Sequence, residues 1–470
     1  MGYECKKYTA EDCVTLKGQK IEYRMTSEEF PFFDHDGEMK LTMHTISYVR
    51  TDGKAEGRPV LFAYNGGPGS GATLVNLGAL APQRIALGDA VSMSFTPPFA
   101  MEPNPDTVLD ICDIVVMDPV ASGFSKIFKD TAEKYYNSRG DATMIVQTIY
   151  QWLTAHERWN CPILVMGESY GTIRNALVAE QIYMDPYGKH CNALNIHLSG
   201  IIMLGPALDH GQTPFPIETA VINFSSIAAT YWYHHQTGKP ELESFVEEAE
   251  AFAYRQYLPA LAFGSSLGEA EREEIIQKIN YFTGLSREQI LKKRLRIETK
   301  DYPVLGMQKE RKLISRYDGR FLSDEIEMTD DYDMFGDDPC SSRIMPAFTH
   351  CFNGYLRQKL GMKNGDFYDG LNLKATLNWD FHTDHAPYIS LKNAMRKNPE
   401  LKVMFATGYY DMVTTPGYTR YLVNYANLPK DRVKLEFYKS GHMPYLGNEP
   451  AEKLGRDLHD FILWACPEEK

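Results

Sequence analysis

The sequence is short of positive charge. Its 470 residues hold 49 Lys and Arg against 62 Asp and Glu, a formal net charge of -13. A nucleic-acid backbone calls for a basic surface, so that class of partner is not expected. Long apolar runs are missing as well, none approaching the roughly 20 residues that span a bilayer. The first residues, MGYECKKYTAEDCVTL, contain no apolar core of the length a secretory signal requires. That fits a cytoplasmic protein or a processed form of an exported one. Cysteine is scarce, eight in all, and no two stand as C-x-x-C, so a zinc site of that type is not indicated. Most of the thiols read as small buried hydrophobes, with a Cys340–Cys351 bridge open to the chain in an oxidising compartment. Internal repeats and low-complexity tracts are lacking too.

What is present is a series of short apolar runs at wide spacing. "IEYRMT" and "LTMHTISYVR" flank a polar turn and read as two antiparallel strands. Then follow "VLFAYN" (60–65), "DIVVMD" (113–118), "PILVMG" (162–167), "GIIMLG" (200–205), "LKVMFATG" (401–408) and "VKLEFYKSG" (433–441). Near-continuous runs of this length suit strands buried on both faces, as parallel sheets require. Between them lie helical patterns: Ile145, Ile149, Trp152 and Leu153 share a face over 141–157, a second helix follows Gly171, and "AEKLGRDLHDFILWA" closes the chain. Strand, helix, strand repetition predicts an α/β protein with an open, mostly parallel central sheet flanked by helices. Residues 207–372 break the rhythm with charge-rich helical stretches and an acidic, irregular segment at 324–342. They are expected to form an inserted, mainly helical cap between a first core part, 1–206, and a second, 373–470.

Three motifs sit at strand exits. Gly167-Glu168-Ser169-Tyr170-Gly171 is a G-x-S-x-G between a strand and a helix, the grammar of a nucleophile elbow. A serine hydroxyl needs an adjacent base, and on such a sheet the partners follow in the order Ser, Asp, His. Asp411 stands just past "LKVMFATG" and His442 just past "VKLEFYKSG", in that order. Asn65-Gly66-Gly67-Pro68-Gly69-Ser70, after "VLFAY", offers bare backbone N–H groups to an oxyanion. It lacks the G-K-[ST] ending of a phosphate loop. No motif calls for a metal or cofactor: Phe335 occupies a ligand position in the calcium-loop-like "DDYDMFGDD", and His382 and His385 read as polar loop residues.

Together with "DPVASGFS" (118–125), "GYYDMVTTP" (408–416) and "GHMPY" (441–445), these motifs resemble the serine carboxypeptidase family, peptidase family S10, over roughly residues 58–465. "RYDGRF" (316–321) and "HCFNGYLR" (350–357) are similar to its bacterial branch. The resemblance implies an α/β-hydrolase fold and removal of C-terminal residues from peptides through an acyl-enzyme. It implies a triad of Ser169, Asp411 and His442, with the N–H groups of Gly67 and Tyr170 as oxyanion donors. Asn65, Gly66 and Glu168 would take the substrate's free C-terminal carboxylate, and Met443 would line the pocket of the leaving residue. Glu168 and a carboxylate share a hydrogen bond only when one of them carries a proton, so binding is expected to be best at acid pH. An esterase, acyltransferase or lyase on the same fold is the alternative reading, and an inactive binding protein a more distant one.

The sequence also departs from the family pattern. Ala63 stands where a Trp is frequent, Ser70 where eukaryotic members have a cysteine, and "GESYGT", with Arg174 three residues on, replaces "GESYGG". Ala79-Leu80-Ala81-Pro82 replaces the segment that carries a second acid, leaving Arg84 as a nearby group able to neutralise the site.

Overall fold

The computed structural model describes residues 3–128, 132–184, 196–208, 219–324, 338–362 and 365–467. Among them, ten strands form one sheet, nine side by side and a tenth, Lys126–Ile127, paired with Met39–Arg50. Lys7–Leu16, Gln19–Phe33 and Met39–Arg50 run antiparallel along one side. Six parallel strands continue it in the order Asp113–Asp118, Val60–Tyr64, Ile163–Glu168, Leu198–Leu204, Lys402–Gly408 and Val433–Tyr438. The strand order turns back on itself around Val60–Tyr64. Loops leaving the carboxyl ends of the parallel strands therefore converge there, where such sheets bind their ligands. The six predicted core strands all appear, displaced by two residues at most at their starts.

Side chains alternate between two cores, as period-2 geometry requires. Leu61, Ala63, Leu164, Met166, Ile202, Leu204, Met404 and Ala406 point to one face. Their chain neighbours Val60, Phe62, Tyr64, Ile163, Val165, Ile201, Met203, Val403 and Phe405 point to the other. The second face is covered by helices Ser138–Ala155, Tyr170–Met184, Pro387–Lys397 and Pro416–Tyr425. The first of these starts where Asn137 accepts a hydrogen bond from the Gly140 N–H at 2.7 Å, an N-cap that satisfies an otherwise orphan donor.

Residues 219–305 fold as short helices around a separate apolar cluster that includes Phe224, Phe245, Ile276 and Phe282. Helix Pro339–Leu360 behaves differently. Expected within the inserted region, it instead buries Cys340, Ile344, Ala347, Phe348 and Phe352 in the core of the sheet's first face. Most of the acidic segment, 325–337, lies outside the described residues.

Two further expectations change. Strand Lys7–Leu16 was not anticipated, because its residues alternate between exposed and half-buried, with only Val14 and Leu16 fully buried, and carry no apolar run. Cys340 and Cys351 lie on one helix, both as free thiols. Eleven residues of helix separate their Cα atoms by roughly 16 Å, whereas a disulfide needs about 4.4–6.8 Å, so the bridge is excluded. No helix among the described residues is long and apolar enough to cross a membrane.

Candidate active site

Strand Ile163–Glu168 passes into helix Tyr170–Met184 through Ser169 alone, which adopts φ +57°. A non-glycine residue in the left-handed region is costly, and here the turn is packed too tightly to relax. A Cβ at Gly167 would lie 2.2 Å from the Gly171 carbonyl oxygen, and one at Gly66 would lie 2.5 Å from that of Glu168. The glycines of both motifs therefore permit two backbones to touch. Ser169 is left half-exposed on the wall of a cavity of about 700 Å³. His442, Gly67 and Tyr170 line the same cavity.

The loops after strands Lys402–Gly408 and Val433–Tyr438 bring in Asp411 and His442. His442 Nδ1 lies 2.9 Å from Asp411 Oδ2, with both side chains buried. Asp411 Oδ1 accepts the N–H groups of Val413 (2.7 Å) and Thr414 (3.0 Å), and Oδ2 accepts the Thr414 hydroxyl at 2.6 Å. Thr414 Oγ1 is also 3.0 Å from His442 Nδ1. The imidazole is thus fixed from its Nδ1 side, and Nε2 has no hydrogen-bond partner among the described residues. Burial works against a charged imidazole, but Asp411 outweighs it and holds His442 above its ordinary pKa.

A buried scaffold holds the histidine loop. The His442 N–H donates to the Tyr317 carbonyl at 2.6 Å, and the Gly441 N–H to Asp318 Oδ2 at 3.0 Å. Arg320 forks onto Asp318 and reaches the carbonyls of Lys439 and Leu446, both at 3.0 Å. Asp338 caps helix Pro339–Leu360 and also accepts the Ser315 hydroxyl and the Arg316 N–H. The "RYDGRF" stretch is therefore structural support for the loop that carries His442.

The glycine-rich loop after Val60–Tyr64 has its own support. Arg174 and Asp141 form a fully buried pair at 2.6 Å, and Arg174 Nη1 donates to the Asn65 carbonyl at 2.7 Å. The guanidinium lies 5.0 Å and 5.1 Å from the ring centres of Tyr64 and Tyr170. The N–H groups of Gly67 and Tyr170 make no hydrogen bond among the described residues, and that of Tyr170 opens a 15-residue helix. Its dipole favours negative charge at that point.

Glu168 lines the same cavity, with its side chain buried. Its Oε1 accepts Asn65 Nδ2 at 2.7 Å and its Oε2 accepts the Tyr445 hydroxyl at 2.6 Å. Burial pushes its carboxyl up from 4.5 to about 7, against the pull of His442 and of these two donors. That shift favours the neutral form by about 3 kcal/mol. Arg84, the alternative neutralising group, is instead engaged with Glu102 (2.9 Å) and Asp106 (2.6 Å). Met443 is buried at the cavity wall beside His442.

The structure thus brings together Asn65, Gly66, Gly67, Glu168, Ser169, Tyr170, His442 and Met443 around one cavity, with Asp411 behind His442. Sequence reasoning missed Thr414 and Tyr445. Thr414 stands three residues after Asp411 in "GYYDMVTTP" and Tyr445 three after His442 in "GHMPY", and that proximity is the available signal.

A parallel-stranded sheet with a serine at a strand-to-helix elbow, and an aspartate and then a histidine past its last two strands, defines an α/β-hydrolase. The chain belongs to the serine carboxypeptidase family, whose model matches residues 38–450. It is accordingly a serine-type carboxypeptidase, a hydrolase that removes C-terminal residues from peptides. Among solved structures, it is similar to Kex1(delta)p, a prohormone-processing carboxypeptidase from Saccharomyces cerevisiae. The identity is 12%, covering 94% of this chain and 91% of that one, with a TM-score of 0.55. At this identity the likeness shows the fold alone. A proline iminopeptidase of Mycobacterium smegmatis matches at 14% identity over 94% of this chain and 98% of its own, with a TM-score of 0.39. No curated protein matches the chain in sequence.

Proposed function

We propose that Ser169 is the nucleophile of this carboxypeptidase, His442 its base and Asp411 the group that orients the base. Ser169 Oγ attacks the carbonyl carbon of the last peptide bond and passes its proton to His442 Nε2. The carbonyl oxygen, now an oxyanion, is met by the N–H groups of Gly67 and Tyr170. The C–N bond then breaks, the leaving amine takes the proton from Nε2, and an ester to Ser169 remains. Water then gives a proton to His442 Nε2 and its oxygen to the acyl carbon, the ester C–O bond breaks, Ser169 Oγ takes the proton back from Nε2, and the shortened peptide leaves as its acid. The observation that carries this reading is the 2.9 Å bond between Asp411 and His442 Nδ1, which leaves Nε2 for the cavity that Ser169 lines.

Glu168, Asn65 and Gly66 recognise the free C-terminal carboxylate. Glu168 contributes as a neutral carboxylic acid, which donates to an anion where a carboxylate would repel it. Burial supports this state up to a pH of about 7, rather than at strongly acid pH only. The cavity walls include Leu74, Ile173, Ile344, Leu371, Phe381 and Val413, which favours apolar side chains beside the scissile bond. Residues 1–206 and 373–470 serve as the catalytic body and the helical cluster of 219–305 as the cap that shapes the substrate pocket.

The test is product analysis at pH 5 on matched peptides ending as free acid or as amide. The expected result is stepwise loss of C-terminal residues from the free acid, fastest for apolar ends, with the amide spared. Equal cleavage of both would show that the site does not read the carboxylate, and would favour an esterase-like activity.

A further inference from the structure

Tyr445 stands three residues after His442 in the loop that leaves strand Val433–Tyr438. Its side chain is buried and its hydroxyl donates to Glu168 Oε2 at 2.6 Å. The ring occupies a slot that the sequence opens for it: a Cβ at Gly78 would lie 2.4 Å from Tyr445 Cε2. Gly78 adjoins Ala79, where the sequence resemblance leads one to expect a second acid. A tyrosine reaching across from the histidine loop fills the space beside Glu168 instead.

We propose that Tyr445 is the positioning residue of the carboxylate clamp: it holds Glu168 toward the substrate and stands in for a second acid, so that recognition depends on one carboxyl group. This rests on the assignment of Glu168 proposed above. The geometry is restrictive, because Asn65 holds one carboxyl oxygen and Tyr445 the other, each at hydrogen-bond distance. Rotation of Glu168 would break both bonds.

The electrostatic consequence follows from direction. The groups acting on Glu168 are His442 and Tyr445 from the loop after Val433–Tyr438, Asp411 from the loop after Lys402–Gly408, and Asn65 from the loop after Val60–Tyr64. A hydroxyl that donates to a carboxyl group favours its ionised form. Tyr445 is itself pushed far above its ordinary pKa, by burial first and by Glu168 second, so it stays a donor throughout the working range. Removing the hydroxyl therefore favours neutral Glu168, and the pH at which KM begins to climb must rise.

The experiment compares KM against pH from 5 to 9 for the wild type, Tyr445→Phe and Glu168→Gln, with one free-acid dipeptide. Tyr445→Phe keeps the ring against Gly78. Its climb in KM is expected about one pH unit higher than in the wild type, the effect of one hydrogen bond to a charged group. Below the climb, kcat should stay within about threefold of the wild type. Glu168→Gln should be flat. If Glu168→Gln is flat and Tyr445→Phe climbs at the wild-type pH or lower, the role of Tyr445 is overturned while that of Glu168 stands. If Glu168→Gln still climbs, the assignment of Glu168 fails and the role of Tyr445 fails with it. Infrared titration of the Glu168 carboxyl band, identified by its loss in Glu168→Gln, reads the same shift without turnover. An unmoved midpoint in Tyr445→Phe would overturn the proposal.

Discussion

Asp411 and Glu168 are both buried carboxyl groups at strand exits, yet their surroundings differ. Asp411 is surrounded by donors: two backbone N–H groups, the Thr414 hydroxyl and the His442 ring. Glu168 receives two neutral side-chain donors, and burial still pushes it up to about 7. The first arrangement suits an anion that orients a base. The second suits an acid that keeps its proton until a substrate carboxylate arrives. Number and kind of donor, rather than depth of burial, distinguish the surroundings of the two groups.

The comparison can be broken at several points. The largest effect is expected for Ser169→Ala, since both halves of the site serve that hydroxyl. Several orders of magnitude in kcat should be lost with the thermal unfolding curve unchanged. Retention of a tenth of the activity would remove the nucleophile assignment. Asp411→Asn should cost about 10⁴ in kcat by presenting the wrong donor to His442. Asp384→Asn, altering an exposed carboxylate paired with Arg139 at 2.5 Å, should change it by less than about twofold. Similar losses in both variants would undo the distinction.

Smaller effects sharpen the supports. Arg174→Met leaves Asp141 buried and unpaired and the Asn65 carbonyl without its donor. A loss of about 3–5 kcal/mol in urea denaturation is expected, and a loss under about 1 kcal/mol would show the pair to be dispensable. Thr414→Val removes one of the four donors to Asp411 and one contact of His442 Nδ1. The backbone donors remain, so steady-state kinetics should show a drop of roughly tenfold in kcat with KM unchanged. A rise in KM with constant kcat would place Thr414 on the recognition side instead.

How much of this was legible in the sequence follows from the range of the interactions. Five of the six parallel strands were legible because burial on both faces writes an apolar run into five to seven consecutive residues; Val433–Tyr438, a half-buried edge strand, shows instead the alternation of VKLEFY. The positions of Ser169, Asp411 and His442 followed, since each stands directly after such a strand. Strand Lys7–Leu16 was not legible, because an edge strand with an exposed face needs no such run. The placement of helix Pro339–Leu360 on the sheet was hidden as well: an amphipathic face announces that it will be buried but not against what. The link from Tyr445 to Glu168 spans 277 residues of chain and depends on a missing side chain at Gly78. Only the folded chain brings those three positions together.

The central claim is that a neutral, buried Glu168 makes this hydrolase a reader of free C-termini. Its most direct test is the ratio of kcat/KM for a peptide free acid to that for its amide, followed from pH 5 to 8. Changes in His442 affect both substrates and cancel in the ratio. In the wild type the ratio should be high at pH 5 and fall by about tenfold for each pH unit above about 7, as Glu168 loses its proton. In Glu168→Gln it should hold constant. A wild-type ratio that stays level across this range, or one that falls equally in Glu168→Gln, would contradict the account.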